Sequence, residues 1–286
     1  MADQTPESMT AADRYETLRH GRDPFLQRAR EASEVTIPGL IPPEGSDGTD
    51  LPTPFQSIGA RGVNNLSAKL LLALFPPQGS FFRLSVDAGV VREMEEAAQD
   101  GANITARVNK ALSRMENTVQ DRVENSNART VLSNAFKHLL VGGNYLIQEL
   151  EGGKLKGHPL SDYVVKRDLE DNIIEIVVLE ELAPMSAPEE VMDIVGNPAD
   201  ETPTEDQNED ETIKVYTRVT RDDNKWKVHQ EVEGERIPGT DGTYPLEAPA
   251  YIPLRWNPVD KESYGRGHAQ EYLGDLQSAE SLSQSI

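Results

Sequence analysis

Residues 127–150, NARTVLSNAFKHLLVGGNYLIQEL, change period in their middle. In the first half Val131, Leu132, Ala135, Phe136 and Leu139 recur at steps of three and four, which puts apolar side chains on one helix face. Gly142-Gly143 supplies the stop, because glycine enters the left-handed conformation without a Cβ clash. Residues 145–150 then read as a β-type run. A chain helical before this point and β-rich after it falls in the α+β class, with a mostly antiparallel sheet.

Upstream the helical period recurs. Ile104, Val108, Leu112, Met115, Val119 and Val123 hold one face. Before them Asp87 is placed to cap a helix through Val90, Val91, Met94 and Ala98, with an interruption at Asp100-Gly101. Thr53-Pro54-Phe55-Gln56 reads as a capping box with proline in the first turn. It opens a helix along Ile58, Val63, Leu66, Leu70 and Leu74, ended by Pro76-Pro77, in which Gly59 and Gly62 permit close packing. Phe81, Leu84 and Val86 suggest a short strand. Nearer the N-terminus, Thr10 caps a helix to Arg19 that His20-Gly21 ends. Asp23 then caps a second helix, with Pro24 at its first position. Residues 35–54, with Pro38, Pro42, Pro43, Pro52 and Pro54, read as an irregular crossing.

Downstream, residues 163–168 and 173–179 are further β-type runs. Residues 213–220 and 226–232 form a hairpin pattern around Asp222-Asp223-Asn224, and 250–256 is one more strand. From Gly267, a helix carries Tyr272, Leu273, Leu276, Ala279, Leu282 and Ile286 on a broad stripe without a terminal cap, the pattern expected of a fragment. The expected division is residues 1–266 as one body, helical over 10–142 and β-rich over 143–256, followed by 267–286 as the start of a departing helix. No internal repeat is visible.

Of 286 residues, 28 are Lys or Arg and 49 Asp or Glu, a net charge of −21. That excludes a surface basic enough to grip nucleic acid all over. The absence of cysteine excludes disulfides, thiolate metal sites and a cysteine nucleophile. Residues 1–10 are polar, without the apolar core of a secretory signal. The longest apolar run, residues 70–75, is far shorter than the roughly 20 residues of a membrane span. Residues 198–212 carry seven carboxylates and no basic residue, and read as a mobile surface loop.

No motif for chemistry assembles. GxxxxGK[ST], HExxH and GxSxG are absent, and Gly152-Gly153-Lys154 reads as a turn. His20, His138, His158, His229 and His268 are scattered; His268 and Glu271 have a spacing that can share a metal but equally suits a surface pair. Arg107, Lys110 and Arg114 make a basic stripe that could meet phosphates or simply flank an apolar face. The acidic loop could dock a basic partner or a cation, yet lacks the ligand order of a calcium loop. The densest cluster is Arg255-Trp256-Asn257-Pro258 with Tyr264-Gly265-Arg266-Gly267. It could cradle an anion before a helix, or be a tight strand-to-helix turn packed by Trp256 and Tyr264, and the turn is the simpler reading. Both aromatic rings are expected to be substantially buried. No catalytic, cofactor-binding or metal residue is assigned, and no enzyme activity is expected.

The segment Pro253-Leu254-Arg255-Trp256-Asn257-Pro258, then Glu262-Ser263-Tyr264-Gly265-Arg266-Gly267-His268 and Glu271-Tyr272-Leu273-Gly274-Asp275-Leu276, resembles the head-to-tail connector (portal) proteins of T7-like short-tailed bacteriophages. Arg14-Tyr15-Glu16, Arg22-Asp23-Pro24-Phe25-Leu26, Pro42-Pro43-Glu44-Gly45, Gly59-Ala60-Arg61-Gly62-Val63-Asn64-Asn65-Leu66 and Leu74-Phe75-Pro76-Pro77 agree in matching order. The resemblance implies a ring of twelve subunits at one capsid vertex and thus a virion protein assembled in the host cytoplasm. Such a ring seeds capsid assembly with scaffolding protein, docks terminase, passes double-stranded DNA in packaging and ejection without reading its sequence, and holds the tail. It also implies that this chain carries the α+β wing and the approach to the stem, with clip and crown beyond residue 286. An acidic channel wall suits this role, since DNA must slide past it. The competing reading is an acidic metal-dependent hydrolase or nuclease, which chelator-sensitive activity would reveal.

Overall fold

A computed structural model describes residues 9–46, 51–77, 79–97, 104–196 and 212–286. The helical half comprises α1 (Ala11–Glu34), α2 (Ile58–Leu74), α3 (Ala88–Ala97), α4 (Ile104–Glu124) and α5 (Ala128–Gly142). The β-rich half follows as β1 (Asn144–Glu149), β2 (Leu155–His158), β3 (Tyr163–Arg167) and β4 (Ile173–Leu182), then α6 (Glu189–Val195). Next come β5 (Ile213–Asp222), β6 (Lys225–Val232), β7 (Glu235–Arg236), β8 (Gly242–Pro245), β9 (Tyr251–Arg255), β10 (Asn257–Pro258) and β11 (Gly265–Arg266). The described chain closes with α7 (His268–Glu271) and α8 (Leu273–Gln284).

The α+β expectation holds, and among the described residues every strand pairing is antiparallel. The larger sheet has the order β3-β4-β5-β6-β7, with β8 also on β6; a smaller one has the order β2-β1-β9, and β10 pairs β11. Period-two alternation sorts β4 side chains between two layers. Ile176 and Val178 enter the main core with Tyr163, Val219, Trp226, and Leu26, Ala29 and Leu140 of the helices. Val177 and Val164 point the other way, against Ala11 and Tyr15 at the start of α1. The β3–β4 pair is thus buried on both faces, which explains its near-continuous apolar reading.

Charge fastens α1 as well as packing. Glu175 of β4 receives Arg14 at 2.7 Å and Arg218 of β5 at 2.9 Å, all three side chains nearly buried. The Ala11 amide donates to Glu231 Oε2 at 2.5 Å. A buried carboxylate between two guanidiniums has its negative charge offset and a charge-assisted hydrogen bond on each oxygen.

Several expected boundaries move. The break at His20-Gly21 and the cap at Asp23 do not exist: α1 is one helix with Pro24 inside it. Packing overrides the two breakers, because Tyr15 and Leu26 sit on either side of them and both are buried in the body. Buried Arg22 spans the weak turn, donating to Tyr15 Oη at 2.8 Å and to the Ser161 carbonyl at 2.5 Å. Asp23 pairs with Arg22 at 3.0 Å and Arg19 at 3.5 Å instead of capping. The Thr53–Gln56 capping box does not form either, since α2 starts only at Ile58. Gln56 ties the entry instead, accepting from the Gly59 amide at 3.0 Å and donating to the Val35 carbonyl at 2.8 Å. Phe81, Leu84 and Val86 lie in no strand; the Leu84 amide donates to Glu116 at 2.7 Å, a side chain replacing a strand partner.

Asp87 caps α3 as expected, its Oδ1 accepting from the Gly89 amide at 2.7 Å. The β5–β6 hairpin turns where the Asp-Asp-Asn run stands, with Asp222 opposite Lys225. The expected interruption at Asp100-Gly101 lies outside the described residues, as does the acidic loop apart from Thr212. Among the described residues no helix is long and apolar enough to cross a membrane.

Candidate functional site

The strand-to-helix cluster forms a built junction. Gly143 ends α5 at φ 76°, its amide donating to the His138 and Leu139 carbonyls at 3.1 and 3.0 Å. A Cβ there would lie 2.3 Å from the Arg266 carbonyl carbon, and one on Gly267 would lie 2.1 Å from the Val141 oxygen. The end of α5 and the β11–α7 corner therefore touch backbone to backbone. Tyr264 is 3% exposed, and its hydroxyl accepts from the Val165 amide at 2.8 Å. Burial pushes that phenol well above its usual range. Trp256, likewise expected to be substantially buried, is partly buried, packed against both hydrophobic clusters of the core.

Around the junction the three arginines are paired with protein groups. Arg255 donates to the Glu262 carbonyl at 2.9 Å and pairs with Asp171. Arg266 pairs with Glu262 at 3.0 Å, and Arg167 donates to the Ser263 carbonyl at 3.3 Å. Gly265-Arg266 is strand and α7 is a single turn, so the geometry is that of the tight corner rather than an anion cradle. His268 and Glu271 make a partly exposed pair at 3.5 Å, and Glu271 also accepts from Asn257 at 2.8 Å. Among the described residues no three His, Asp or Glu side chains stand close enough to hold a metal ion. His138, His158 and His229 are each buried in separate places.

What stays open is apolar. No described residue of α3 or α4 is buried. Val90 and Met94 of α3 and Met115 and Val119 of α4 are each more than two-fifths exposed. The basic stripe Arg107, Lys110 and Arg114 is exposed beside them. The expected apolar face of α4 is thus only partly covered, by its neighbours α3 and α5.

A second open surface lies between the start of α2 and the α7–α8 turn. It is a groove of about 360 Å³ lined by Ile58, Val63, Leu66, Tyr272 and Leu276, with Asp275 at its edge. Ile58 and Tyr272 are 65% and 50% exposed. The expected single terminal helix is broken at Tyr272. The α8 stripe is not absorbed by this chain, because Leu282 stays exposed. Glu280 anchors α8 to the body, accepting from the Phe55 and Gln56 amides at 2.8 and 3.2 Å. Neither the groove nor this carboxylate anchor was expected from sequence; only the breadth of the α8 stripe signalled an uncovered face.

The family model described as bacteriophage head to tail connecting protein matches residues 8–286. The portal protein of Escherichia phage T7 is 39% identical over 280 residues, 95% of this chain and 50% of the relative. That of Enterobacteria phage T3 is 38% identical over 279 residues with the same coverage. The portal protein of Pseudomonas phage phiKMV is 31% identical over 284 residues, 97% of this chain and 53% of the relative. The chain spans about half the length of these curated relatives.

Proposed function

Because the chain belongs to the bacteriophage head to tail connecting protein family, we propose that it serves as a structural portal subunit, one of twelve in a ring at a single capsid vertex. In this reading it is a virion component, assembled in the host cytoplasm, and not an enzyme. The ring passes double-stranded DNA during packaging and ejection, and offers docking surfaces to scaffolding protein, terminase, capsid and tail. Residues 1–266 would form the wing, and 267–286 would begin the helix toward the stem.

One observation carries the reading: relatives named portal proteins align along 95% of the chain. The geometry agrees with it. Two apolar surfaces lie open in a chain of net charge −21, where uncovered apolar area calls for a partner. A ring needs two different faces per subunit, meeting head to tail and closing. Particles of the subunit imaged by electron microscopy should be closed rings with a central channel that admits duplex DNA. Monomers or open filaments at all concentrations, or chelator-sensitive cleavage of DNA by the purified protein, would overturn it.

A further inference from the structure

On the reading that the chain closes into a ring, we propose that neighbouring copies meet by seating α4 of one in the groove between α2 and α8 of the next. Met115 and Val119 are the inserted side chains. They stand four residues apart and so project from one helix face, the spacing by which an amphipathic helix fills an apolar groove. The groove offers the matching surface in Ile58, Val63, Leu66, Tyr272 and Leu276.

Topology forbids a chain from filling its own groove. Helices α2 and α5 run antiparallel: Arg129 at the start of α5 donates to the Phe75 carbonyl at the end of α2 at 2.7 Å. Leu140, near the end of α5, lines the groove beside Ile58 at the start of α2. Gln120, next to Val119 on α4, donates to the carbonyl of Gly79, just past the end of α2, at 3.1 Å, so stripe and groove belong to opposite ends of this helix pair. The 17 residues of α2 put those ends about 25 Å apart. Two unlike faces at opposite ends of one rigid pair give a heterologous, head-to-tail contact.

Charge selects the occupant and its direction. Between Ile104 and Met115, α4 carries Arg107, Lys110 and Arg114 and no carboxylate. Residues 267–286 carry Glu271, Asp275 and Glu280 and no Lys or Arg. The α2 wall holds Arg61, so the basic stripe lies along the α8 wall. Opposite charges at a rim fix register and exclude wrong partners more than they add affinity.

The chain has no cysteine, which makes disulfide trapping clean. Chains carrying Met115→Cys are mixed with chains carrying Tyr272→Cys and oxidised. The expected result is a reducible species of twice the subunit mass that neither variant gives alone. Adding Arg107→Glu, Lys110→Glu and Arg114→Glu to the first partner should lower its yield roughly tenfold, and Asp275→Lys with Glu271→Lys on the second should recover it. Rings imaged without this cross-link overturn the inference and leave the ring reading standing; absence of rings overturns the ring reading itself. An intrachain bond in the double variant would show that the groove is filled from within. If the triple reversal weakens duplex DNA retention and leaves the cross-link unchanged, the stripe serves DNA and the inference fails.

Discussion

Asn144 and Gly265, 121 residues apart in the chain, exchange two hydrogen bonds: Asn144 Nδ2 donates to the Gly265 carbonyl and the Gly265 amide donates to Asn144 Oδ1, both at 2.8 Å. Asn144 is 2% exposed and opens β1, while Gly265 belongs to the β11 corner. One side chain therefore locks the helix-to-strand switch of mid-chain to the turn before the terminal helices. Asn144→Ala strands a buried amide and a buried carbonyl, and should cost about 2–4 kcal/mol. Urea unfolding measures this; a loss below about 1 kcal/mol would mean the corner is held by packing alone.

Glu175 holds two nearly buried guanidiniums, so its loss should exceed that of any surface pair. Glu175→Ala removes the buried carboxylate that Arg14 and Arg218 share and should cost about 3–5 kcal/mol. Breaking the exposed Lys227–Asp222 pair, 3.0 Å apart, by Lys227→Ala should cost less than about 1 kcal/mol. Comparable losses in parallel denaturation curves would refute the assignment.

The buried histidines predict acid sensitivity with a definite sign. Burial lowers His138 from 6.5 to about 4, and its Nδ1 has no hydrogen-bond partner. Burial likewise lowers His158 to about 4, against the opposing pull of Glu180. Both are neutral in the fold, so their contribution is whole above pH 6.5, shrinks as the unfolded chain takes up protons below it, and is spent by about pH 4. His138→Phe, which keeps the stacking on Tyr145 at 4.8 Å, should flatten the stability slope in that window by about 1.4 kcal/mol per pH unit. An unchanged slope would show that His138 does not govern it.

Two glycines should respond oppositely to alanine. Gly267→Ala drives a Cβ to 2.1 Å from the Val141 oxygen and should destabilise by at least about 1–3 kcal/mol. Gly21 lies inside α1 with nothing within 4 Å of its Cβ position, so Gly21→Ala should stabilise by about 0.5–1 kcal/mol. Melting temperatures of the two variants decide the matter, and a destabilising Gly21→Ala would mean the helix needs flexibility there.

The sequence alone determined the elements whose period is long and uninterrupted: the α4 and α5 helices, the β5–β6 hairpin, and the switch at Gly142-Gly143. These are local matters of side-chain spacing and glycine's conformational freedom, and they settle the α+β class. It also carried the junction motif around Trp256 and Tyr264, though not how unequally the two rings would be buried. Tertiary structure decided what local signals misstate. His20-Gly21 should end a helix and Asp23-Pro24 start another, yet Tyr15, Arg22 and Leu26 of one continuous α1 find partners in the loop before β3, on the sheet and in the core. Thr53–Gln56 should cap α2, yet Glu280, more than two hundred residues away, takes the Phe55 and Gln56 amides. The open groove is likewise a tertiary product, because α2 and α8 become its walls only once distant segments are brought side by side. Periodicity says which residues want to be covered; the positions of the other chain segments decide which of them are.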